Sequence, residues 1–316
     1  WVDDEDSAHY ISRMFYRHEK KLLRISVDFQ GALHGKKLRW LAGFGRFDNK
    51  IGPVDIDKLN KGLDDNEKLP LVDGLYDKYV KWGLISPNEA DGGAVNTLKL
   101  GLIYDTRDNE ANPNNGIWAE AIMMTAPRFL FNSESAYTKL ALIYRHYVPI
   151  KRDVFTFAYR LGWQGTIDGK TPFYMQPYMV TTNTQNTKNE GLGGSKSMRG
   201  VLRNRIVGDA FTYANLELRY KIWQFNRWNQ NFYLAVSGFG DFGMITKEIN
   251  VDKSLLPSTE IVTDYFDLES DKLHSSFGGG LHAAMNQNFI VTIDYGHASD
   301  SRDGKSGVYI NIGYLF

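Results

Sequence analysis

The chain contains no cysteine. That absence excludes disulfide frameworks, thiol nucleophiles and cysteine-based zinc sites together. The formal net charge is zero, so there is no electrostatic case for nucleic acid as a partner. No apolar run approaches the roughly 20 residues that a membrane-crossing helix requires. There is no heptad run, no solenoid repeat and no segment with the marks of a separate soluble domain. No signal peptide is present within the sequence, and the numbering reads as starting in a processed or trimmed chain. The histidines His9, His18, His34, His146, His274 and His282 show no spacing of the kind metal sites use. No metal and no cofactor is expected.

What is present in excess is aromatic: 18 Tyr, 18 Phe and 7 Trp, a load that needs a surface to serve. Alternation supplies one. Leu23, Ile25, Val27, Phe29 and Leu33 oppose Arg24, Ser26, Asp28 and Gln30, the period-two pattern of a half-buried strand. Leu98, Leu100, Leu102 and Tyr104 oppose Thr97, Lys99 and Gly101, and Phe155, Phe157, Tyr159, Leu161 and Trp163 oppose Thr156, Ala158, Arg160, Gly162 and Gln164. Phe289, Val291, Ile293 and Tyr295 alternate with Thr292 and Asp294, and Val308, Ile310, Ile312, Tyr314 and Phe316 with Asn311 and Gly313. A soluble sandwich would put the apolar face inward. A membrane barrel puts it outward, with mid-strand charges in a wet lumen and aromatic girdles at both interfaces. Charged polar faces and apolar faces ending in Tyr, Trp or Phe favour the barrel.

The fold expected is therefore all-β, a transmembrane antiparallel barrel of about twelve strands forming one domain over residues 1–316, with strands near 8–19, 20–33, 37–48, 96–105, 116–125, 135–148, 154–166, 210–222, 231–243, 275–285, 288–297 and 307–316. An even count is what bacterial barrels use. Short links then fall at HGKK, VPIKRD, WQFNRWNQN and NQN, and long ones at 49–95, 167–209, 244–274 and 298–306. With both termini periplasmic, every long link lies outside the cell. Within 49–95, the spacing of Leu71, Leu75, Tyr79 and Trp82 predicts a short amphipathic helix capping the pore.

The segment GGSKSMRGVLRNRIVGD (193–209), followed by NLELRY, resembles the arginine-glycine loop of the BamA/TamA-like surface-antigen superfamily of outer-membrane assembly barrels. YDTRDNEANPNNG is similar to that family's periplasmic turn, through Asp105, Arg107, Asp108, Pro113 and Gly116. SGFGDFGMI is similar to its Phe-x-Asp-x-Gly strand, and YINIGYLF, with Tyr314 and Phe316, to its terminal strand. The resemblance covers about residues 96–316. It implies that the loop motif Met198, Arg199 and Gly200 folds into the lumen, where Arg199 meets two carboxylates, Glu217 and Asp241. Alternation agrees on direction: Ala214, Leu216, Leu218 and Tyr220 outward turn Glu217 inward, and Phe232, Leu234 and Val236 outward turn Asp241 inward. The motif departs from the family at Val201, where an aromatic is usual, and at Asn311, where the terminal signal has glycine. The family also has sixteen strands behind periplasmic polypeptide-transport-associated domains, so the chain reads as a reduced branch without those domains or as the remnant of a sixteen-stranded barrel.

The resemblance implies no bond chemistry. It implies insertion or translocation of polypeptides or lipids at the Gram-negative outer membrane, with outer-membrane lipids, unfolded outer-membrane proteins or a periplasmic lipoprotein as partners. A homo-oligomer stays open. A seam between 8–19 and 307–316 would be the point of opening. A passive pore or structural barrel is the alternative from another class. An outer-membrane phospholipase is a remote one, resting on His297 and Ser299 two residues apart.

Overall fold

The computed structural model describes residues 14–132, 136–182, 191–266, 269 and 271–316. These residues form one antiparallel sheet of eleven strands in strict sequence order: β1 His18–His34, β2 Leu38–Pro53, β3 Gly92–Asp105, β4 Gly116–Ala126, β5 Tyr137–Lys151, β6 Phe155–Gly169, β7 Ala210–Arg227, β8 Gln230–Lys247, β9 His274–Met285, β10 Phe289–Ala298 and β11 Ser306–Ile312. Within the described residues, no helix is long and apolar enough to cross a membrane. The connections 35–37, 106–115, 152–154, 228–229 and 286–288 gather at one end of the sheet, and the connections that follow β2, β4, β6, β8 and β10 leave from the other.

The two faces differ as the alternation requires. In β7, Asn215, Glu217 and Arg219 are buried while Leu216, Leu218 and Tyr220 are exposed. In β1, Leu23, Ile25, Val27 and Phe29 are exposed. The enclosed side thus holds charges beside a buried apolar cluster that includes Phe47, Ile103 and Ile122, and the outer surface is lined by aliphatic chains, unlike that of a water-soluble sandwich. The sheet curls about its polar face. Gln30 of β1, Arg160 of β6 and Phe316 line one cavity of about 590 Å³. Across β2, Lys99 Nζ of β3 meets Asp28 Oδ2 of β1 at 2.5 Å, a pair that keeps either charge from being buried alone.

The strand expectations near 20–33, 37–48 and onward each overlap one observed strand, most of them extended by a few residues. The expected first strand differs. Residues 8–13 of it lie outside the described residues, Met14–Tyr16 form a turn, and His18–Glu19 already belong to β1. Among the described residues β1 and β11 are therefore the two edges of the sheet. The turn at Met14–Tyr16 stands at the end of the long connections, where the Phe15 carbonyl accepts from the Leu75 amide at 2.7 Å. The N-terminal course on which the expected seam and the expected terminus depend lies outside the described residues.

The connection 54–91 carries three short helices, α1 Ile56–Asn60, α2 Leu75–Lys81 and α3 Pro87–Ala90. Leu71, expected on the helix, lies before it and is exposed, while Trp82 is its C-cap. α2 docks on the connection 248–273. Lys78 Nζ donates to Tyr265 Oη at 3.0 Å and lies 3.3 Å from Glu260 Oε1. Tyr79 stacks on Phe266 with ring centroids 5.9 Å apart, and Trp82 meets Tyr265 edge-on at 5.0 Å. The hydrogen bond from the Tyr265 hydroxyl, helped by Lys78, holds the Glu260 carboxyl below its ordinary range. A depressed carboxyl adds stability above its unfolded value and loses it as pH falls through the depressed one. Backbone amides of 262–266 should therefore exchange faster in acid than the adjoining strands. In Glu260→Gln that acid response should disappear.

Candidate functional site

Residues 191–209 of the connection between β6 and β7 turn back against the polar face instead of standing in solvent. Its arms are joined by the bridge Leu192–Ile206, and its tip by the bridge Gly194–Met198. Ser197 Oγ accepts from the Gly193 amide at 2.8 Å and donates to the Gly193 carbonyl at 3.0 Å. Leu192, Met198, Val201 and Ile206 pack with Phe211 and Tyr213 of β7 in a small apolar core. Val201 fills this core with an aliphatic chain where the resemblance leads one to expect an aromatic.

Arg199, at the tip, is 1% exposed. Its Nε and Nη2 donate to Asp241 Oδ2 and Oδ1 at 3.0 and 3.1 Å, a planar fork matched to a carboxylate. Nη1 donates to Glu217 Oε2 at 2.9 Å. The backbone amide of Arg199 donates to Asp241 Oδ2 at 2.9 Å, so main chain and side chain converge on one acid. The guanidinium lies 3.4 Å from the Phe239 ring centroid, and this cation–π contact excludes water from that side. Glu217, Asp241 and Phe239 reach the loop because alternation in β7 and β8 turns all three to the enclosed face.

A third carboxylate takes part that the sequence-based account did not single out. Asp294 Oδ2 of β10 lies 3.5 Å from Arg199 Nη1, and its Oδ1 lies 3.3 Å from His282 Nε2 of β9. Its inward direction follows from Ile293 and Tyr295 facing out. Its proximity to Arg199 follows only from the curl of the sheet. Glu217 is shared with Arg219, whose Nε donates to Oε1 at 2.7 Å. Two guanidiniums thus face three carboxylates, with His282 beside the third.

Gly200 brings the loop against β10 and β11. Its φ is +94°, a region that L side chains rarely adopt, and a Cβ there would lie 2.7 Å from the His297 nitrogen. The Gly200 amide donates to Tyr309 Oη at 2.8 Å.

At the opposite end, the turn 106–115 is built on carboxylates. Asp105 Oδ1 accepts from the Arg107 amide and from Arg107 Nε at 3.1 and 3.0 Å, and Asp105 Oδ2 pairs with Arg39 at 3.2 Å. Asp108 Oδ1 accepts from the amides of Asn109, Asn114 and Asn115. Arg107 lies over the Trp118 ring at 4.3 Å, and Pro113 lines the 590 Å³ cavity. At Gly116 φ is +108° and an added Cβ would lie 2.4 Å from the Thr106 carbonyl oxygen. Gly116→Ala should lower stability by about 1–3 kcal/mol, read as a lower midpoint in denaturant unfolding with the native spectrum retained.

Tyr314 and Phe316 differ from expectation. The terminal strand ends at Ile312, and Gly313, with φ +83°, diverts the chain from the outward face. Phe316 lies in the interior with its ring 6.4 Å from that of Tyr147, and its backbone oxygen accepts from Arg219 Nη2 at 3.0 Å. Tyr314 stacks under Arg219 at 3.9 Å and bonds Tyr233 Oη at 3.1 Å. Alternation alone continues through Phe316 because the direction change is a backbone event. His297 and Ser299 form no hydrogen bond with each other among the described residues; His297 is exposed, and Ser299 Oγ accepts from Ser275 Oγ at 2.9 Å.

The comparisons agree with this architecture. The model of the Omp85 superfamily domain matches residues 43–316. No curated protein matches the chain. Among solved structures, the chain is similar to BamA from Haemophilus ducreyi lacking POTRA domains 1–3, at 14% identity and a TM-score of 0.59. That likeness covers 96% of this chain and 56% of the BamA chain, so this chain spans a little over half the length of the structure it resembles. At such identity the likeness speaks for fold alone.

Proposed function

This chain belongs to the Omp85 superfamily, and from that premise we propose that it forms, or forms part of, an outer-membrane barrel that inserts or translocates polypeptides or lipids. The apolar outer face meets lipid in this reading. The connections 54–91, 170–209 and 248–273 face outside the cell, and the turn 106–115 faces the periplasm. Unfolded outer-membrane proteins and a periplasmic or lipoprotein partner are the macromolecules it would meet.

One observation carries the reading: Arg199 is fixed by Asp241 and Glu217 inside a sheet whose outside is apolar. Desolvating three charges offsets much of their mutual attraction. The value of the cluster is then a fixed loop position rather than large net stability, as suits a part that must present one surface to a passing client. No bond chemistry is assigned: among the described residues His297 and Ser299 form no hydrogen bond with each other, and Ser299 Oγ is taken by Ser275.

Depletion of the protein followed by outer-membrane proteomics tests the proposal. Barrel proteins should fall in abundance, and complementation with Arg199→Ala should not restore them. An unchanged outer membrane, with ion conductance by the purified protein in planar bilayers, would identify a passive pore instead.

A further inference from the structure

The arginine loop has a second fastening, away from its tip. The Leu202 amide donates to the Asp303 carbonyl at 2.7 Å, and Arg205 Nε donates to the Arg302 carbonyl at 2.9 Å. Arg205 Nε also lies 3.7 Å from Asp303 Oδ1. Asp303, in the β10–β11 connection, is 2% exposed. Its remaining oxygen, Oδ2, lies 2.6 Å from His274 Nδ1 at the start of β9. The other ring nitrogen, Nε2, lies 2.9 Å from Asp271 Oδ1, and Asp271 Oδ2 accepts from the Ile245 amide of β8 at 2.7 Å. One line of contacts therefore runs from the end of β8 through Asp271, His274 and Asp303 to the loop.

The chemistry of the imidazole decides what that line needs. Ionised carboxylates only accept hydrogen bonds, and a neutral imidazole donates from one nitrogen alone. With a carboxylate oxygen opposite each nitrogen, both bonds exist only when both nitrogens carry protons. We propose that His274 is a positioning residue whose imidazolium fastens the outer arm of the arginine loop to β9 through Asp303, and that loss of the Nδ1 proton breaks the bond to Asp303 and loosens that arm. The other charged groups at this rim are Arg205 on Asp303 and the Asp300–Arg302 pair at 2.7 Å on the same turn. Lys272 and Glu269 pair with each other at the exposed edge. Arg205 and the Leu202 amide would be what still ties Asp303 to the loop once the bond to His274 is lost. The inference uses the loop identified under the proposed function but does not depend on what the protein carries.

Because the chain has no cysteine, one spin label at Leu202→Cys, an exposed position, reports the outer arm alone. In the reconstituted full-length protein the label should be immobilised at acidic pH and become mobile as pH rises. In His274→Gln, whose amide can donate to only one carboxylate without altering its geometry, the label should be mobile throughout. In His274→Arg, which keeps its charge, it should stay immobilised throughout. Circular dichroism on each variant establishes that the sheet has formed. A native label that does not respond to pH, or a response retained in His274→Gln, overturns the proposal. If the label titrates as expected while depletion leaves outer-membrane proteins unchanged, the transport reading falls and this one stands.

Discussion

Arg199→Ala is expected to release the loop tip and to lower the stability of the folded barrel by about 3–5 kcal/mol, the cost of leaving buried charges without their partner. The loss falls mainly on Asp241. Glu217 keeps Arg219, and Asp294 keeps His282, but among the described residues Asp241 retains hydrogen bonds only from the Asn215 side chain at 2.8 Å and the backbone amide of residue 199. Arg199→Lys should recover little, because an ammonium cannot form the two parallel bonds to Asp241 while also reaching Glu217. Denaturant unfolding in lipid vesicles measures the effect. A midpoint for Arg199→Ala equal to that of the native protein would mean that the cluster contributes no fixed position at all.

Gly200→Ala carries the second large effect, for a different reason. Alanine at φ +94° is strained whatever the space around it, at about 1–3 kcal/mol. The space is also closed: the new Cβ would press on the backbone of Gly296 and His297 within 3 Å, and backbone cannot rotate away as a side chain does. Gly296→Ala isolates the second term. Its Cβ would meet the Arg199 carbonyl carbon at 2.6 Å, with no left-handed backbone to strain. Both variants should break the bond between the Gly200 amide and Tyr309, and Gly200→Ala should cost more. Accelerated proteolysis within 193–209 would show the loop displaced. If Gly296→Ala resists protease as the native chain does, the close packing of loop and strand is not what holds the loop in place.

Much of the fold was legible because a half-lipid, half-polar strand writes its two faces in alternate letters. Leu216, Glu217, Leu218 and Arg219 state their directions outright. The candidate site was legible as far as direction goes. Glu217, Asp241 and Asp294 all alternate inward, but which of them meet at one guanidinium depends on curvature, a property of the whole sheet that no window of sequence contains. Family resemblance points to two of the three; His282 reads from sequence as a lumen residue, but its contact with Asp294, like that of Tyr309 with Gly200, entered only with the coordinates. The end of the chain illustrates a different limit. Val308, Ile310, Ile312, Tyr314 and Phe316 fall on one face by alternation, yet Gly313 turns the backbone and sends Phe316 inside. The start illustrates another: His18 through Leu22 read as a boundary between two strands, and the chain runs through it as one, since charged residues at a strand's end cost nothing where the sheet meets water.

The pairing of Arg199 with Asp241 is the point on which the account rests, and a double-mutant cycle measures it directly. Native protein, Arg199→Ala, Asp241→Asn and the double variant are unfolded under identical conditions. Groups in direct contact couple by about 0.5–3 kcal/mol. The account predicts that the double variant is no less stable than the worse single variant, because once the guanidinium is gone the neutral amide is the better occupant of its site. Strictly additive losses would contradict it.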